Sequence, residues 1–144
     1  MGLDTTHGAF HGAYSAFNRF RQIVAEAAGG SYPPHKTPLI IGGEEVTNPD
    51  DGMWYVPDWE KFQVDHPGLS AFFISNDCEG QFSPETCKQM ADEIEALLPA
   101  IEFVASRHIA AGHLERDGGY VKVAERYIAG CRAAHAAKEP LEYH

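Results

Sequence analysis

Six of the nine prolines, at positions 33, 34, 38, 49, 57 and 67, fall within residues 31–68. A proline removes an amide donor and clashes with the preceding helical turn, so no long helix crosses this stretch. Gly42-Gly43 and Asp51-Gly52 add turn signals. Leu39-Ile40-Ile41 and Glu44-Glu45-Val46, flanking the glycine pair, read as a small hairpin. A segment this long without regular structure is uncommon in a compact domain unless it serves as a binding loop or a partner surface. It also holds both tryptophans, Trp54 and Trp59. The main helices are therefore expected on its flanks.

On the N-terminal side, a short extended entry closes at Gly12. From Ala13 the apolar positions Ala13, Phe17, Phe20, Val24, Ala27 and Ala28 recur at helical spacing, and Gly29-Gly30 supplies a stop. On the other side, Leu69-Ser70-Ala71-Phe72-Phe73-Ile74 is a short apolar run that suits a buried strand, followed by a polar turn at 76–80. Ser83 is placed to cap a helix with Pro84 at its first position and Glu85 in its first turn. Cys87, Met90, Ala91, Ile94, Leu97 and Leu98 then form one buried stripe until Pro99 ends or kinks it. A shorter helical piece, a break at Asp117-Gly118-Gly119 and a final helix follow. Tyr120, Val121, Ala124, Tyr127, Ile128, Cys131 and His135 share that last helix's apolar face. Pro140 stops it, and Leu141-Glu142-Tyr143-His144 reads as a closing strand whose candidate neighbours are residues 2–6 and 71–75. The expected fold is α+β: about three main helices on a small two- to three-stranded sheet, with a long irregular Pro/Gly-rich segment, in one domain spanning 1–144.

Composition narrows the function classes. The 144 residues carry 21 acids against 11 Lys and Arg, a net charge of −10, which argues against sequence-independent nucleic-acid binding. At 44% hydrophobic and 22% charged, the chain reads as an ordinary soluble globular protein. No apolar run approaches the roughly 20 residues of a membrane helix, and the first residues lack the order of a signal peptide. Cys78, Cys87 and Cys131 form neither a CxxC motif nor an even framework, which fits a reducing compartment and a cytoplasmic location. No motif calls for a cofactor. Eight histidines are many for this length, and their full protonation would carry the charge from −10 to −2.

Three clusters carry candidate chemistry. His7 and His11, four apart, would share one face of a helix and one metal, as in zinc-peptidase helices. However, Gly8 stands where that motif has its glutamate, and Gly8 and Gly12 weaken a helix there. The alternative is that both histidines cap or hydrogen-bond the start of the following helix. Second, His11, Tyr14, Asn18 and Arg21 form a polar stripe beside the apolar face. In a chain poor in cations, Arg19 and Arg21 are candidates to hold phosphate or carboxylate. Pairing of Arg21 with an acid is the plainer alternative. Third, Ser75-Asn76-Asp77-Cys78-Glu79-Gly80 presents Asn76, Asp77 and Glu79 either to a ligand or as a simple turn. His135 reads as a satisfied core histidine, whereas His108 and His113 stay open and His144 lies at a fraying end.

The runs Gly2-Leu3-Asp4-Thr5-Thr6-His7 and His11-Gly12-Ala13-Tyr14-Ser15-Ala16-Phe17-Asn18-Arg19-Phe20-Arg21 resemble a family of small bacteriophage and prophage proteins. Its pattern is GLDTTH, then HGAYSAFxRWR, a central HSDCDG turn and a C-terminal GEPVEFH, the last two matched here by residues 75–80 and 138–144. The chain departs at Ser75, where the pattern has His, and at Phe20, where it has Trp. Residues 31–68 lie outside the resemblance, and its N-terminal motif carries no assigned chemistry. The resemblance implies an accessory role in the cytosol of a host cell. Three readings follow. In the first, the protein binds a small ligand without turnover and sequesters a nucleotide-type defence signal. Tyr14, Trp54 and Trp59 would stack a base, Arg19 or Arg21 would meet phosphate, and a homo-oligomer would shape the pocket. In the second, residues 31–68 contact a host protein. In the third, ranked last, His7, His11, Asp77 and Glu79 form a metal-dependent hydrolase.

Overall fold

In the computed structural model the described residues are 2–30, 39–41, 44–46, 59–75, 80–107 and 119–144, and every structural statement below concerns these. The chain opens with β1 (Gly2–Asp4), a 3-10 turn (Thr6–Gly8) and β2 (His11–Ala13), which pairs antiparallel with β1. Helix α1 (Tyr14–Ala27) follows directly. It buries Phe17, Phe20 and Val24 as the spacing predicts and ends where the Gly29 and Gly30 amides bond back to Glu26 and Ala25. The hairpin expected around the glycine pair is present as β3 (Leu39–Ile41) and β4 (Glu44–Val46), antiparallel with Ile40 opposite Glu45.

Two expectations for the next stretch are corrected. The segment read as irregular to residue 68 contains α2 (Trp59–Asp65), and the run read as a buried strand at 69–74 is helix α3 (Pro67–Ile74). A six-residue run with five apolar positions has no clear period of its own, so burial alone does not separate strand from helix. Here Pro67 opens the helix, where its missing amide costs nothing. The Glu93 carboxylate accepts the next two amides, from Gly68 at 2.8 Å and Leu69 at 3.1 Å. Leu69, Phe72 and Phe73 are all buried, as expected of a helix with protein around it. Gly68 is required by the packing, since a Cβ there would stand 2.5 Å from the backbone of Gln89 and Met90.

Strand β5 (Gly80–Phe82) leads into α4 (Pro84–Ala96). Ser83 caps α4 as its sequence predicts, with its hydroxyl oxygen accepting the Thr86 amide at 3.2 Å. Leu97 separates α4 from α5 (Leu98–Ala105), which holds Pro99 in its first turn, and α6 (Gly119–Ala137) makes its most extensive helix contact with α4. The closing strand β6 (Leu141–Tyr143) pairs antiparallel with β5 rather than with 71–75, which is helical. Its expected contact with residues 2–6 is present as a bridge between Thr5 and Tyr143 and as two hydrogen bonds between the Asp4 and His144 backbones, 2.9 and 3.0 Å. The last residue is thus tied down. The result is a small α+β fold in which α1, α3, α4 and α6 surround one apolar core. Its centre is aromatic: Phe17, Phe20, Phe72 and Tyr127 meet edge-to-face or tilted at centroid distances of 5.3–6.4 Å. No helix is long and apolar enough to cross a membrane.

Candidate functional site

The two histidines of the N-terminal motif do not share a face. His7 lies in the 3-10 turn in a left-handed conformation (φ 59°), and His11 is on β2. His7 Nε2 is 3.8 Å from a Glu139 carboxylate oxygen, with the side chain 18% exposed. The His11 side chain is 78% exposed, and its Nδ1 is 3.4 Å from Asp4. The helical metal pair is therefore overturned by the backbone, because a strand and a tight turn separate the rings. Ala13, the residue before α1, has no side chain to cap it, and the described contacts of the two rings run to Glu139 and Asp4. What His7 does contact is the C-terminal segment. Around it, Thr5 Oγ1 accepts the Phe10 amide at 2.9 Å, and Thr6 Oγ1 accepts the Glu142 amide at 2.9 Å. The N-terminal and C-terminal motifs meet as a polar corner that closes the fold. Among the described residues no group of three His, Cys, Asp or Glu is placed to hold a metal.

The polar stripe on α1 divides. The side chain of Tyr14 lies outside the description; Asn18 is buried, Arg19 exposed and Arg21 fully buried. Arg21 Nη1 donates to the Ser75 carbonyl at 2.8 Å and Nη2 to the Ser75 hydroxyl at 2.9 Å. Its guanidinium lies 4.5 Å from the Phe17 ring centroid and 5.6 Å from that of Phe72. Arg21 thus clamps the end of α3 from inside the aromatic core, immediately before residues 76–79. Asn76, Asp77, Cys78 and Glu79 lie outside the described residues, as do Trp54, His108 and His113. Trp59 begins α2. Arg19 remains on the surface beside the Tyr120 phenol, whose burial pushes its pKa up against the opposing pull of the Arg19 charge. His135, half-buried, is satisfied by the Pro84 carbonyl at 3.0 Å.

The structure also shows a cleft that sequence reasoning missed. It holds about 340 Å³ between the C-terminal end of α1, the start of α3 and the C-terminal part of α4. Ala27, Ala28, Leu69, Ala96 and Leu97 form its apolar walls, and His66, Asp92 and Glu93 supply the polar groups. The two carboxylates differ. Asp92 is exposed and paired with Lys88 at 3.0 Å and Arg132 at 3.5 Å, and these cations, Lys88 foremost, hold its carboxyl below the usual range. The Glu93 side chain is only 17% exposed, and its nearest ionisable partner is His66 at 3.8 Å. Its oxygens accept the two α3 amides, which accounts for two of a carboxylate's roughly four acceptor positions. The sequence signal for this site was Glu93 itself, an acid flanking the Met90–Ile94–Leu97 stripe. No periodicity shows, however, that the start of another helix will lie against it.

The thiols Cys87 and Cys131 are free and fully buried in the region where α4 packs on α6. A hydrogen bond between them favours the ionised form at Cys87 and, together with burial, the protonated form at Cys131.

The chain matches no protein-family model, no curated protein and no solved structure.

Proposed function

We propose that the protein binds a small molecule without turning it over. One observation carries this reading: a cleft of about 340 Å³ with apolar walls and a few polar groups. That volume lies at the lower end of the range that ligand sites occupy, and a dry wall with a few oriented polar groups is how such sites bind and orient a ligand. Among the described residues the lining contains no Ser, Thr or Cys nucleophile, and at 3.8 Å His66 and Glu93 are not hydrogen-bonded as a proton-transfer pair. A binder of this kind suits the accessory role that the phage resemblance implies.

The nucleotide-type ligand is not carried over to this cleft. Of the two arginines expected to meet phosphate, Arg21 is enclosed in the core and only Arg19 is exposed. The cleft itself presents Asp92 and Glu93, which repel an anion. The test is a fragment screen followed by amide chemical shifts in NMR. Binders are expected to move the Leu69, Glu93 and Leu97 resonances and to be recovered chemically intact after denaturation. At about 100 times its dissociation constant, such a ligand stabilises the fold by about 2.7 kcal/mol. Fragments that bind elsewhere while these three amides stay still would sink the reading.

A further inference from the structure

We propose that the ligand of this cleft is an organic monocation, a small amine whose ammonium sits on Glu93 and whose apolar body lies against Leu69, Leu97 and the alanines. The assignment rests on the small-molecule reading of the cleft and adds the charge of the ligand to it.

Charge and geometry support it together. Glu93 is a largely buried carboxylate whose described contacts include no Lys or Arg. The two α3 amides offset part of its charge, as helix N-termini do for anions, but they occupy only one acceptor direction on each oxygen. The remaining capacity belongs to a group that lines the cleft. An ammonium placed there forms a charge-assisted hydrogen bond, about twice as strong as a neutral one. A neutral hydroxyl could also donate to Glu93, but it would bring no positive charge to offset that of the carboxylate. An anion would meet Glu93, Asp92 and the field of a chain of net charge −10. Asp92 does not compete for the ammonium, because Lys88 and Arg132 already flank it. The small volume further restricts the body of the ligand to about the size of one ring or a short alkyl chain.

The experiment compares three isosteric probes of different charge: phenethylamine, 2-phenylethanol and phenylacetate. Each is titrated into the full chain and followed by the Leu69, Glu93 and Leu97 amide resonances. Phenethylamine is expected to bind, 2-phenylethanol to bind at least about tenfold more weakly, and phenylacetate not to bind. Glu93→Gln keeps an oxygen for one of the two α3 amides and removes the charge, so it should abolish the preference for the amine over the alcohol. His66→Lys leaves both Glu93–amide bonds in place and supplies an internal ammonium beside the same oxygen, so it should exclude phenethylamine. This second variant keeps the test valid should Glu93→Gln fail to fold. Alcohol and amine binding alike, or a folded His66→Lys protein that still takes the amine, would overturn the monocation while leaving the small-molecule reading intact. Silence of the three amides toward all three probes and toward the fragment screen would overturn both.

Discussion

The corner where the chain termini meet and the cleft beside α3 both bring histidine and carboxylate together, yet they use them differently. In the corner the polar groups face one another. The Asp4 backbone bonds to that of His144, Thr5 to Phe10, Thr6 to Glu142, and His7 lies against Glu139. In the cleft, Glu93 accepts two helix amides, has His66 3.8 Å away and lines a cavity with apolar walls. The run with the most distinctive sequence therefore serves the architecture, while the candidate site lies among residues that belong to no motif. If the contrast is correct, changes in the first set of groups cost stability and leave ligand binding alone.

Arg21 is the extreme case of a group committed to the fold, and Arg21→Met should have the largest effect. The substitution keeps an apolar stem between Phe17 and Phe72 but removes both bonds to Ser75 and the contacts of the cation with the rings. A loss of about 3 kcal/mol is expected, from bonds to a charged donor and an unpartnered carbonyl. Urea denaturation measures it. A loss under about 1 kcal/mol would return Arg21 to the pool of ligand-binding cations.

Gly130→Ala comes next. A Cβ on this α6 residue would lie 2.4 Å from the Ala9 Cβ and 2.5 Å from its Cα, so the whole entry segment would have to move outward. Overpacking of this kind costs about 2 kcal/mol. The same denaturation experiment reads it, and the cleft amides of Leu69 and Leu97 should keep their wild-type shifts. Movement of those amides would show that the corner and the cleft are coupled rather than separate.

The different legibility of the regions has physical causes. Helices α1 and α4 were readable because a solvated face and a buried face alternate along them, and Ser83-Pro84 marks a start that uses local chemistry alone. The hairpin at 39–46 was readable from its glycine pair. Helix α3 was not, because a segment enclosed by protein has no polar face to reveal its period, and what starts it, Glu93, is 25 residues away from Gly68. The same distance hid the cleft. Spacing places His7 and His11 on one face only if the backbone is helical, whereas the left-handed residue at His7 turns the rings to different carboxylates. The core position of Arg21 was hidden because its partner, Ser75, lies 54 residues away.

A smaller effect is expected within the corner. Thr5→Val removes an oxygen that accepts the Phe10 amide at 2.9 Å and a hydroxyl that donates to the Phe10 carbonyl at 3.2 Å. Phe10 is buried, so its amide would lose its partner at a cost of about 1.5 kcal/mol. Phenethylamine affinity should be unchanged. Weaker amine binding in this variant would mean that the corner supports the site and that the contrast with the cleft is false.

The smallest effect concerns the acids on the outer face of α4. Asp92 is held below its ordinary value of 3.8 first by Lys88 and then by Arg132, and Glu95 below 4.5 by Arg132 at 2.6 Å. A carboxyl with a depressed pKa in the folded state binds fewer protons there than in the unfolded chain, so its stabilising contribution is complete above the unfolded value and is lost as pH falls through the folded one. These groups are exposed, so the contribution is modest and screened by salt. Arg132→Ala removes the main cause at Glu95 and a lesser one at Asp92, and acid unfolding should then begin at a higher pH than in the wild type at low ionic strength. At about 1 M salt the two curves should merge, because exposed pairs are screened at that concentration. Phenethylamine binding at neutral pH should change little, since Lys88 still flanks Asp92 and Glu93 takes no part in the Arg132 pairs. A large loss of amine affinity in Arg132→Ala would make Asp92, rather than Glu93, the carboxylate that decides what the cleft accepts.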